Sequence, residues 1–104
     1  HANDTEYIVS EMIDFDKAVG KAIDFAKKDG NTLVIITADH ECGGFALNGG
    51  DMEKGTVEGA FTTDHHTAVM VPVFAYGPGA NKFMGIYQNT AVFDKMMEAF
   101  DFKK

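Results

Sequence analysis

Arginine is absent from this chain of 104 residues, and nine lysines stand against 16 acidic residues for a formal net charge of −7. Nucleic-acid backbones are held by clustered lysine and arginine, so no nucleic acid is expected as a partner. Cysteine occurs once, at Cys42. No disulfide can close within the chain, and cysteine usage leaves the redox compartment undetermined. No apolar run reaches the roughly 18 residues a membrane helix needs, so no membrane partner is expected either. Serine also occurs once, as Ser10, and the only prolines are Pro72 and Pro78. The chain opens on "HAND" with neither an initiator methionine nor a signal peptide. That opening points to a piece of a longer protein.

What is present is ordinary globular composition, 45% hydrophobic and 24% charged, enough for one domain with a modest core. "TEYIVSEMI" reads as a short helix with Tyr7, Ile8 and Met12 inward. A second helix follows over "DFDKAVGKAIDFAKKDG", where Phe15, Ala18, Val19, Ala22, Ile23 and Ala26 recur at the spacing of one helical face. Asp14 is placed to cap it, Lys27 and Lys28 suit its C-terminal dipole, and Gly30 ends it. "TLVIIT", residues 32–37, then reads as a buried strand. Helix followed by apolar strand is half of a βαβ crossover, which favours a parallel sheet covered on both faces. Residues 45–63 are glycine-rich, with Asn48-Gly49-Gly50 as a turn signal inside a loose hairpin. Val69–Tyr76 is expected as a further strand, edge-placed or irregular because of Pro72. "NTAVFDKMMEAF" is expected as a helix capped by Asn89 or Thr90, with Phe93, Met96, Met97 and Phe100 as its inner stripe.

The chemistry-bearing residues lie in loops. Asp39 and His40 follow the apolar strand directly, and ligands of open α/β sheets bind beyond the carboxyl ends of strands. Imidazole and carboxylate are donors that Zn²⁺ selects. Neighbouring strand residues point to opposite faces, so the pair needs a turn to converge, and Gly43 and Gly44 permit one. The remaining histidines are His1, His65 and His66. Each alone is compatible with a surface or core histidine.

Three segments in order, "HANDTEYIVSEMIDFDKAV", "TLVIITADHECGG" and "HHTAVMVPVFAYGPGA", resemble the C-terminal part of alkaline phosphatase, and together they cover nearly the whole chain. The resemblance implies an α/β fold, a three-layer sandwich with a mostly parallel sheet flanked by helices, of which residues 1–104 are the C-terminal part. It implies a metal-dependent phosphomonoesterase acting through a phosphoserine, with two zinc ions and one magnesium. It further implies a homodimer that is periplasmic or secreted. Position by position, Asp39 and His40 match ligands of the zinc that activates the serine. His1 matches a ligand of the other zinc. His66, followed by Thr67 and ten residues before Tyr76, matches a second ligand of that same ion. His65 is then an extra imidazole, at the surface or beside the ligands.

The departures are specific. Ser10 lies in a predicted helix without the nucleophile's context. A phosphate-clamping arginine cannot be supplied, and the magnesium ligands and one zinc-binding aspartate would lie upstream. Cys42 stands where relatives more often carry threonine, as a small filler or as a thiol beside the metal. The chain alone is therefore expected to be inactive. Two other readings stay open: a non-catalytic metal-binding or interaction module, and a superfamily relative such as a phosphoglycerate mutase or sulfatase.

Overall fold

A computed structural model describes residues 1–102 and places them in two compact units, His1–Lys17 with His40–Val71, and Ala18–Asp39 with Pro72 onward. One helix, α1 (Thr5–Asp29), contributes to both. It replaces the two helices expected from the sequence, and the reason lies at its ends. Asp4, not Asp14, is the cap: its carboxylate accepts the Tyr7 amide at 2.9 Å, and Ile8 N donates to Asp4 O at 3.0 Å. Asp14 sits mid-helix and pairs with Lys17 at 2.9 Å. No proline separates the two apolar runs, so nothing stops the first from continuing into the second. Gly30, at φ 73°, ends α1 as expected, donating its amide to Ala26 O at 2.9 Å.

The first unit is built on a hairpin, β2 (Ala46–Asp51) against β3 (Thr56–Ala60), antiparallel. Its turn lies after Asp51 rather than at Asn48-Gly49-Gly50. Asn48 is the extra residue of a bulge: Leu47 pairs with Gly59 and Gly49 with Glu58. The Asp51 carboxylate closes the turn by accepting the amides of Glu53 and Lys54 at 2.9 and 3.0 Å. Phe45 and Phe61 flank the hairpin's open end, with ring centroids 4.9 Å apart.

The second unit joins β1 (Val34–Ile36) to β4 (Phe74–Tyr76), also antiparallel, with Val34 opposite Tyr76 and Ile36 opposite Phe74. Both ladders among the described residues are thus antiparallel. The βαβ reading fails for this pair because β4 returns against β1 instead of crossing over beside it. β1 is shorter than residues 32–37 and half-buried rather than buried. The strand expected from Val69 begins only at Phe74, since Pro72 has no amide to donate; its carbonyl instead accepts the Thr37 hydroxyl at 3.1 Å.

After β4 a short 3₁₀ helix, Ala80–Phe83, leads to α2 (Ala91–Ala99). Neither proposed cap uses its side chain, since Thr90 makes no side-chain capping bond and Asn89 contributes its carbonyl to Val92 N at 3.1 Å. The orientation of α2 differs from the expected one. Glu98 pairs with Lys82, Lys95 donates to the Lys82 carbonyl, and the Lys95 ammonium lies 4.3 Å from the Tyr87 ring centre. These polar contacts turn the face containing Lys95 and Ala99 inward. Phe93 and Phe100, expected inside, are 59% and 70% exposed. Tyr7, Met12 and Phe15 of α1 are likewise exposed, while Val19, Ile23 and Ala26 are covered. Among the described residues the only buried hydrophobic side chains are Ala26 and Phe83.

Candidate metal centre

Three loops of the first unit meet at one place. The segment before α1 carries His1, the loop before β2 carries His40, and the loop after β3 carries His66. The donor nitrogens of these three imidazoles all lie within 4.8 Å of one another. His40 and His66 stack with ring centroids 3.5 Å apart, and His1 lies 4.9 Å from His66 and 5.6 Å from His40 by the same measure. His40 is half-buried; His1 and His66 are exposed.

Each ring is fixed by bonds made by its neighbours in sequence. Asn3, in the left-handed region at φ 50°, donates its side-chain amide to Thr63 O at 2.8 Å and so ties the His1 segment to the loop before His66. Gly43 is the hub of the same region. Its amide donates to His65 O at 3.0 Å and its carbonyl accepts Thr62 N at 2.8 Å. It is buried at φ 74°, and a Cβ there would press on Phe61 Cδ1 at 2.7 Å and Asn3 Oδ1 at 2.8 Å. Only glycine meets both demands.

The donor chemistry fits a divalent cation of the zinc type. His40 Nδ1 lies 2.9 Å from the Glu41 carbonyl. A carbonyl can only accept, so Nδ1 carries the proton and Nε2 keeps a lone pair. Fixing one ring nitrogen to a backbone carbonyl so that the other is free to ligate is the usual arrangement of a metal-binding histidine. His66 Nε2 and His1 Nδ1 face each other at 3.3 Å. Cys42 Sγ borders the set, 3.8 Å from His1 Nδ1.

Of the four ligands read from the sequence, the structure therefore brings His1, His40 and His66 together. Asp39 precedes His40 in the chain, belongs to the second unit, and is not one of the three clustered donors. His65 stands apart from the cluster: its ring is strongly exposed and lies 3.3 Å from Asp64. Glu41 had no role assigned from the sequence, and Thr67 figured there only as the residue after His66. The Glu41 carboxylate accepts the amides of Gly44 and Phe45 at 3.0 and 3.2 Å and the hydroxyl of Thr67. These bonds, the Thr67 hydroxyl first, hold its carboxyl below the usual range. A carboxylate two residues before a Gly-Gly loop was the available signal.

The chain is a member of the alkaline phosphatase family, whose family model matches residues 1–58 and 53–102. It is 31% identical to alkaline phosphatase 4 of Bacillus subtilis strain 168 over 86% of this chain and 34% of the relative, and 32% identical to alkaline phosphatase of Escherichia coli K12 over 91% and 24%. Among solved structures it resembles the alkaline phosphatase of the Antarctic bacterium TAB5 at 46% identity and a TM-score of 0.88, covering 100% of this chain and 32% of that one. A mutant of the TAB5 enzyme with Mg bound in its M3 site superposes equally well, at a TM-score of 0.88. The chain spans between about a quarter and a third of these proteins' length. Its fold is alkaline phosphatase-like, and among the described residues no helix is long and apolar enough to cross a membrane.

Proposed function

We propose that residues 1–104 are the C-terminal portion of a phosphomonoesterase and supply zinc ligands to its active site. The convergence of His1, His40 and His66 within 4.8 Å carries this reading. In it, His1 and His66 bind one zinc, Asp39 and His40 bind a second, and the ligands of a magnesium ion lie in the rest of the protein. When bound, a zinc pair stabilises the attacking and leaving oxygens of an in-line phosphoryl displacement. The chain's own contribution is to present imidazole lone pairs at a fixed spacing, with the His40 tautomer set by the Glu41 carbonyl.

The nucleophile and the phosphate clamp come from elsewhere in the protein. Ser10 lies on α1, and its hydroxyl donates to Tyr7 O at 2.9 Å. No arginine is present to grip phosphate. In the whole protein the two ladders are the margin of a larger, mostly parallel sheet flanked by helices, which also covers the exposed faces of α1 and α2. The whole protein acts on phosphate monoesters as an exported homodimer, periplasmic or secreted.

The test compares the complete parent protein with this chain on a chromogenic phosphate monoester. The parent is expected to turn over, lose activity on chelation and recover it with zinc, while the chain alone is inert. Chelator-resistant activity in the parent, or turnover by the isolated chain at the parent's rate, contradicts the reading.

A further inference from the structure

We infer that Glu41 is a positioning residue that sets the spacing between His40 and His66. The inference deepens the metal-site reading by naming what holds two of its imidazoles in register. Glu41 follows His40 directly and Thr67 follows His66 directly, and the Glu41 carboxylate accepts the Thr67 hydroxyl. The same carboxylate accepts the amides of Gly44 and Phe45 at 3.0 and 3.2 Å, which anchors it to its own loop. The Glu41 carbonyl, meanwhile, receives His40 Nδ1 at 2.9 Å. One residue thus fixes the His40 tautomer through its main chain and joins the two histidine loops through its side chain. Glu41 and Thr67 are both half-buried, which partly shields these bonds from water. Removing the carboxylate leaves the two amides and the hydroxyl without their shared acceptor, while the Gly43 N–His65 O bond at 3.0 Å still joins the two loops through the main chain; the Glu41–Thr67 bond adds the side-chain link beside the rings. The stacked rings, 3.5 Å apart, are the spacing that this link maintains.

The experiment reads the ring contact directly by NMR on the 104-residue chain without metal, and cobalt(II) affinity separately. The wild-type chain is expected to give nuclear Overhauser contacts between the His40 and His66 rings. Glu41→Ala, which removes the acceptor, and Thr67→Val are expected to lose these contacts while retaining the amide pattern of the β2–β3 hairpin, and Thr67→Ser, which keeps the hydroxyl, to restore them. Cobalt(II) binding is expected to weaken roughly 10- to 100-fold in the two disruptive variants, the range for outer hydrogen-bond partners of metal ligands. Ring contacts that persist in Thr67→Val, or in a folded Glu41→Ala, overturn the inference. If Glu41→Ala does not fold, the Thr67→Val and Thr67→Ser pair decides. Failure of the wild-type chain to bind cobalt(II) overturns the metal reading instead, and the ring contacts still decide the role of Glu41.

Discussion

His40 and His66 stack face to face, ring centroids 3.5 Å apart and planes 20° from parallel. They come from loops on either side of the β2–β3 hairpin, and the hairpin's antiparallel pairing brings those loops together. His1 joins them from the segment that Asn3 ties to Thr63. Three donors distant in sequence thus converge through main-chain geometry, with the side chains of Asn3 and Glu41 as the fastenings.

Register in the "DHHT" segment is testable by alanine substitution. His66→Ala removes a clustered donor, so zinc affinity measured by calorimetry is expected to fall by more than the roughly 10- to 100-fold cost of losing an outer partner. His65→Ala removes an exposed ring paired with Asp64 and is expected to leave affinity within about twofold. A larger loss at His65 would mean that the two histidines exchange roles.

Asp39→Asn tests the proposed ligand that lies outside the clustered set. The substitution nearly preserves shape and removes the negative charge that a cation needs. Weaker zinc binding in the calorimeter is expected. Unchanged affinity would remove Asp39 from the ligand set of this chain.

Gly43 should tolerate no side chain. Gly43→Ala places a Cβ against Phe61 and Asn3 in a left-handed backbone, at an expected loss of about 2 kcal/mol, or about 10 °C in the thermal midpoint. Gly20→Ala is the control, since nothing lies within 4 Å of that added carbon and alanine favours a helix interior by up to about 1 kcal/mol. Equal midpoints for the two variants would refute the hub role of Gly43.

The β2–β3 turn should open in acid. Lys54, first by its side chain and then by its amide, holds the Asp51 carboxyl below its usual 3.8. A depressed folded value means that the stabilisation is fully present above the unfolded pKa and is lost as pH falls through the folded one. Protection of the Glu53 and Lys54 amides, relative to their intrinsic exchange at each pH, is expected to fall across that acidic window and to be lost at all pH in Asp51→Ala, which has no side-chain acceptor. Protection unchanged at pH 2 would contradict it.

Much of the local structure was legible in the sequence, and its errors share a cause. The Gly30 stop and the lysines of the last turn of α1 were read correctly because caps and dipoles act within a few residues. The break at Asp14 was misread because Asp4, a stronger cap in context, lies upstream with no breaker between. Asn48-Gly49-Gly50 looked like a turn, yet glycines also form bulges, and the carboxylate of Asp51 decided where the chain reversed. Phe93 and Phe100 of α2 were misplaced inside, while Met97 is half-buried as expected, because the Lys82–Glu98 and Lys95 contacts, which orient the helix, depend on a distant loop. At the site, His1, His40 and His66 were found through family resemblance rather than spacing. The Glu41–Thr67 bond was missed, since a bond between residues so far apart in sequence leaves no local pattern.

The most direct measurement is a zinc titration of the chain followed through the ring protons of its four histidines. The ring signals of His1 and His66 are expected to move and saturate together, that of His40 is expected to move with zinc as well, and His65 is expected to stay in place. Zinc that leaves those three rings unmoved, or that shifts His65 in place of His66, would contradict the metal centre described above.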